Sequence, residues 1–162
     1  MPAAPASPPS QFFQYPGEEM VSRQPFLAHL HEDEMNSLVR VTQARRYSAG
    51  DQAVHEGDHD RSLFIIVKGS FDVILHGSAG AVPVATLTRG DIFGELSFFD
   101  SEPRSADVVA TGPAEVLLLT PAGFDRLEIA KPALALKVVL DLGRILAQRL
   151  RGINERLATT HR

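Results

Sequence analysis

Between Arg45 and Thr120 the chain is punctuated by Gly50, Gly57, Gly69, Gly77, Gly80, Gly90, Gly94 and Gly112. The pieces between these glycines are rich in β-branched and aromatic residues: Leu63–Val67, Phe71–Leu75, Val82–Leu87, Ala106–Ala110 and Val116–Leu119. Short strands at such spacing, separated by turn residues, can bury their apolar faces only by closing into a sandwich or barrel. Phe71, Val73 and Leu75 alternate with Asp72, Ile74 and His76, which predicts a strand with one face turned inward. Gly77-Ser78-Ala79-Gly80 is read as an exposed hairpin tip.

Helical periodicity flanks this region. Apolar residues at Phe26, Leu27, Leu30, Met35, Leu38 and Val39, with Glu32, Asp33 and Glu34 placed for a helix start, predict a turn and then a helix ending near Val41. Thr120 is placed to cap a helix opening on Pro121 and ending near Ala130. Pro132 then begins a longer helix reaching Leu157, whose 26 residues span about 39 Å. Leu142, Leu146, Leu150, Ile153 and Leu157 recur along it at helical spacing. Such a helix outruns a small barrel, so its far half is expected to pair with a second copy of the chain.

At 162 residues the chain is read as one domain with a real core. It has no cysteine, which removes disulfides, thiolate metal sites and cysteine nucleophiles. The proline-rich start, MPAAPASPPS, has no apolar region of signal-peptide type, and residues 1–24 are expected to be a loosely ordered tail. No apolar stretch approaches the ~20 residues of a membrane span, so a cytoplasmic location is expected. The net charge of −4 hides an asymmetry. Residues 1–130 carry 9 basic and 18 acidic side chains, whereas residues 131–162 carry 7 and 2. An anionic ligand of the acidic part must therefore be held by a local site, not by a general positive field.

The stretch FGELSFFDSEPRSADVVA, Phe93 to Ala110, has the chemistry for such a site. Gly94 permits a tight turn. One helical turn over Glu95–Phe99 would leave several backbone N–H groups unpaired and pointing outward, as an anion site requires. Arg104 adds a fork of donors, stiffened by Pro103, and Ser105 adds a hydroxyl. A carboxylate, Glu95, next to an anion site suits a ligand that also presents a hydroxyl, as a ribose does.

FGELSFFDSEPRSA resembles the phosphate-binding cassette of cyclic nucleotide-binding domains, such as those of the catabolite activator protein and the regulatory subunits of cyclic-AMP-dependent kinase. Tyr47-Ser48-Ala49-Gly50, Glu56-Gly57-Asp58, Leu63 to Gly69 and Gly90 to Leu96 resemble the strands and turns that lead into it. The resemblance implies an α+β fold, mainly β: an antiparallel β-roll, or jelly roll, with flanking N-terminal helices and a long C-terminal helix. It covers roughly Pro25 to Leu150, so the domain is set at 25–157, with its C-terminal helix over 132–157 and a tail at 158–162. It implies that Glu95 accepts the ribose 2′-hydroxyl and that Arg104 pairs with the cyclic phosphate. Gly94, Leu96, Ser97 and Ser105 would complete the cradle. Ser105 favours cyclic AMP over cyclic GMP. Arg144, Gln148 and Arg149 are candidates for contacts to the base.

Cyclic di-GMP, bound by some bacterial relatives of this fold, is the alternative ligand, and a ligand-free interaction module is a further one. With the sequence ending at Arg162, the expectation is a stand-alone sensor acting through an unknown protein partner, with no helix-turn-helix domain and no direct reading of DNA. An enzyme of cupin type would need histidines clustered on strands to hold a metal. His29, His31, His55, His59, His76 and His161 form no such pattern, so neither metal nor catalysis is expected.

Overall fold

The structure, a computed structural model, describes residues 26–160. The expected tail at 1–24 and the last two residues of the chain lie outside the described residues. Twelve elements follow in chain order: α1 (Glu32–Arg40), β1 (Gln43–Tyr47), β2 (Gln52–Val54), β3 (Leu63–Lys68), β4 (Phe71–Gly77), β5 (Gly80–Leu87), β6 (Ile92–Phe93), α2 (Glu95–Asp100), β7 (Asp107–Ala110), β8 (Ala114–Leu119), α3 (Pro121–Ala130) and α4 (Pro132–Thr160).

The strands form two antiparallel four-stranded sheets, ordered β1-β8-β3-β6 and β2-β7-β4-β5. The alternation of side chains along β3 and β8 divides the core in two. Phe64, Ile66, Val116 and Leu118 point between the sheets, where they meet Phe71, Leu87, Phe93 and Val108. Leu63, Ile65, Leu117 and Leu119 point the other way, onto Leu38, Leu127, Leu134, Val138 and Leu142 of the helices. Both faces of these two strands are buried, which is why their sequences read as unbroken apolar runs.

Thr120 caps α3 as expected, its hydroxyl accepting from the Gly123 N–H at 3.0 Å, with Pro121 in the first turn. Helix α1 instead opens on His31, with Glu34 reaching back to the His31 N–H. The N-terminal segment is clipped to α4 by two polar contacts. Lys137 Nζ donates to both carboxylate oxygens of Glu34, at 2.7 and 3.0 Å. The buried Asp141 carboxylate accepts from the backbone N–H of Leu27, a buried leucine held at φ +63°.

Two expectations need correction. The inward face of β4 does not persist: Phe71 is buried, Val73 half-buried and Leu75 exposed. A bulge between Val73 and Ile74 shifts the register with β5, and the hairpin then runs out into solvent. Helix α4 continues to Thr160, three residues past the expected end, with no Gly or Pro near Leu157 to stop it. Leu142, at the near end of the apolar stripe along α4, is fully buried in the core, whereas Leu150, Ile153 and Leu157 of its far half are exposed.

Candidate functional site

The turn from β6 into α2 brings the expected cassette residues together. Gly94 stands at the N-cap of α2 in the left-handed region, φ +80°, with no side chain to cap the helix. The N–H groups of the first turn, Glu95 to Ser97, therefore have no carbonyl one turn earlier and no capping oxygen. Glu95 and Ser97 are buried, whereas Leu96 and Ser105 are exposed.

Arg104 enters from the segment after α2, its backbone held in place by the β2–β3 loop. The Arg104 N–H donates to the Asp58 carbonyl, and the Arg104 carbonyl accepts from Gly57 N–H, both at 2.8 Å. The side chain is 3% exposed. Its Nη1 donates to the Gly94 carbonyl at 2.9 Å, and its Nη2 donates to Asp60 Oδ2 at 2.8 Å and to the Ser62 carbonyl at 2.7 Å. The guanidinium also lies 5.7 Å from the centre of the Phe64 ring. Nε is buried and has no hydrogen-bond partner. Burial would push the Asp60 carboxyl up, but hydrogen bonds from Arg104 and Ser62 outweigh it, and the net shift is below the usual carboxylate value.

The three α4 candidates fall in different places. Arg144 Nε donates to Asp141 Oδ1 at 2.8 Å, within its own helix. Gln148 is exposed. Arg149 reaches the cassette: Nη1 donates to Glu95 Oε1 at 2.5 Å and Nη2 to the Ile92 carbonyl at 2.7 Å. Behind α2, Phe98 packs edge-on against Phe124 of α3 at 5.5 Å. Sequence reasoning missed Asp60 and Ser62 as the groups that hold Arg104. They lie 44 and 42 residues before it, and no local pattern links them.

Among the described residues no group of three His, Cys, Asp or Glu side chains is arranged to hold a metal ion, and no helix is long and apolar enough to cross a membrane. The site is thus a buried arginine with one unsatisfied donor, an uncapped helical turn and a buried carboxylate. Comparison with known proteins agrees with that chemistry: the family model described as "Cyclic nucleotide-binding domain" matches residues 44–128. The chain belongs to the cyclic nucleotide-binding domain family.

Among curated relatives, a cAMP-dependent protein kinase regulatory subunit from Aspergillus niger is 34% identical over 110 residues, which is 68% of this chain and 26% of that protein. Glutaminase 2 from Bradyrhizobium diazoefficiens is 34% identical over 137 residues, 85% of this chain and 21% of that protein. The chain therefore spans about a quarter or less of these relatives' length. A solved cyclic nucleotide-binding domain from Methylobacillus flagellatus superposes with a TM-score of 0.76 at 29% identity, covering 81% of this chain and 74% of that one. This cyclic nucleotide-binding domain shares with it the two-sheet roll and flanking helices. Members of the family serve as regulatory sensors.

Proposed function

We propose that the chain is a sensor for cyclic AMP, without catalysis of its own, that passes its ligand state through α4 to a protein partner in the cytoplasm. The observation that carries this reading is the buried Nε of Arg104, a donor without a partner, in the segment that follows the uncapped turn of α2. An unsatisfied buried donor costs about 1–3 kcal/mol, which an anion at that point would recover. Arg104, with the N–H groups of Leu96 and Ser97 and the Ser105 hydroxyl, would hold the cyclic phosphate, while Glu95 would accept the ribose 2′-hydroxyl. The kinase regulatory subunit among the relatives supports cyclic AMP.

A dinucleotide such as cyclic di-GMP would need a second cation for its second phosphate, and the Arg149–Glu95 or Arg144–Asp141 pair would have to open, or Arg45 or Arg46 turn inward, to supply it. Calorimetric titration with cyclic AMP, cyclic GMP and cyclic di-GMP tests the reading. Saturable binding of cyclic AMP, tighter than of the other two, is expected. No binding of any of them at millimolar concentration refutes it.

The partner surface includes a second copy of the chain. Leu136, Leu140, Gly143, Ala147, Leu150, Asn154 and Leu157 are all exposed and recur at alternating spacings of four and three along α4. That is the seam of a two-stranded coiled coil, with Gly143 and Ala147 allowing close approach and Asn154 as the polar residue that sets register. Lys137, Arg144 and Arg151 line one flank and Val139, Leu146 and Ile153 the other. Antiparallel pairing would bring the two cationic flanks together, so the helices pair in parallel.

A further inference from the structure

The contact between α4 and the cassette is made at the carboxylate that the proposed reading gives to the ribose. Glu95 is buried and its Oε1 accepts from Arg149 Nη1 at 2.5 Å, while Arg149 Nη2 donates to the Ile92 carbonyl at 2.7 Å. One guanidinium therefore bridges the end of β6 and the start of α2. The buried residues of α4 end at Ile145, so Arg149 lies four residues beyond the part of the helix that the core holds. Gly143, exposed and with no heavy atom near a would-be Cβ, lies in the unbroken helix between the buried Asp141 and this contact.

We infer that Arg149 is an internal competitor for the ribose: a positioning residue that occupies Glu95 in the free protein and leaves it when a 2′-hydroxyl arrives. This rests on the cyclic-nucleotide reading above. A neutral hydroxyl replaces a charge-assisted partner, an exchange that is unfavourable for Glu95 by itself. The remaining contacts of the ligand must offset it, so the affinity of the free protein is set below what the cassette alone would give. The same exchange releases α4 beyond Ile145 from β6 and α2, which provides the differential contact that a ligand-driven shift requires. A ligand without the 2′-hydroxyl has no claim on Glu95 and leaves the ion pair closed.

The test is a cycle of two proteins and two ligands. The full chain and its Arg149→Gln variant are titrated calorimetrically with cyclic AMP and with 2′-deoxy cyclic AMP. The variant is expected to bind cyclic AMP about tenfold tighter and to bind the deoxy ligand unchanged within about twofold. Arg149→Lys, which keeps the charge and loses the fork, is expected to fall between. Weaker binding of cyclic AMP by Arg149→Gln overturns the inference, because Arg149 then contacts the ligand. An equal change for both ligands overturns it too, because the effect then does not pass through the 2′-hydroxyl. A wild-type chain that binds neither ligand refutes the sensor reading itself. Amide exchange gives a readout without ligand: residues 146–157 should exchange faster in Arg149→Gln, and identical exchange there argues against release.

Discussion

A Cβ placed on Gly94 would stand 2.6 Å from Nη1 of Arg104 and 2.7 Å from the Ser62 carbonyl. The arginine is seated in the space that the glycine leaves empty. Gly94→Ala is therefore expected to lose stability twice over: about 1–2 kcal/mol for a side chain at φ +80°, and more for pushing Arg104 aside. Gly50 has a similar φ of +84° with no heavy atom within 4 Å, so Gly50→Ala carries the first cost alone. Urea denaturation of the two variants separates the two costs. Equal losses would show that Arg104 moves freely.

Arg104→Ala is expected to weaken cyclic AMP by about 2–5 kcal/mol, the scale of a buried charge-assisted contact. Glu95→Gln should weaken the ligand less and leave the thermal transition in place. Calorimetry beside a melting curve measures both, and near-unchanged affinity in Arg104→Ala would contradict the phosphate role.

Asp141 ties the first described turn to α4 by accepting from Leu27 N–H and from Arg144 Nε. Asp141→Ala leaves a buried N–H unpaired, at about 1–3 kcal/mol. Asp141→Asn, which keeps an acceptor, should cost less. Denaturant midpoints at constant slope report the difference.

Leu150→Arg and Ala147→Glu each place a charge on the exposed seam of α4 and are expected to give a monomer by light scattering, with the fold unchanged. Val82→Arg, on the equally exposed β5, serves as the control and should keep the dimer.

His76 Nε2 and Asp107 Oδ2 meet at 2.5 Å across β4 and β7. The hydrogen bond to Asp107 raises the imidazole above its ordinary 6.5. Hydrogen bonds from the Glu56 N–H and from His76 lower the Asp107 carboxyl below 3.8. A raised histidine stabilises fully below its unfolded value and is lost as pH rises through its folded one. A lowered carboxylate stabilises above its unfolded value and is lost as pH falls. The pair therefore contributes fully between about pH 4 and 6.5, with losses on both sides. His76→Ala should lower the melting temperature most inside that window and least well above it. Both groups are solvent-screened, so the effect should be small and fade with salt.

What was legible in the sequence follows from where residues are buried. β3 and β8 announced themselves because both faces meet apolar surroundings. β1, Gln43–Tyr47, was absent from the apolar runs because its first four residues are exposed and polar or small. The cassette turn was legible because its conformation demands particular residues in a row: glycine at positive φ, then Glu95, then Arg104. The grip of Asp60 and Ser62 on Arg104 was not, since it is made by folding two distant segments together. The apolar stripe read along α4 mixed core with surface because several stripes of one long helix share a spacing of three and four. Only packing shows that Leu142 belongs to the core while Gly143 and Ala147 face outward.

Beyond Ile145, its last buried residue, α4 is a lever. From there to Thr160 the helix has a length of about 22 Å, so a tilt of roughly 10° carries the tip about 4 Å. An event confined to one hydroxyl in the cassette would thus arrive at the helix end enlarged by geometry alone, and a partner reading that end needs no access to the pocket.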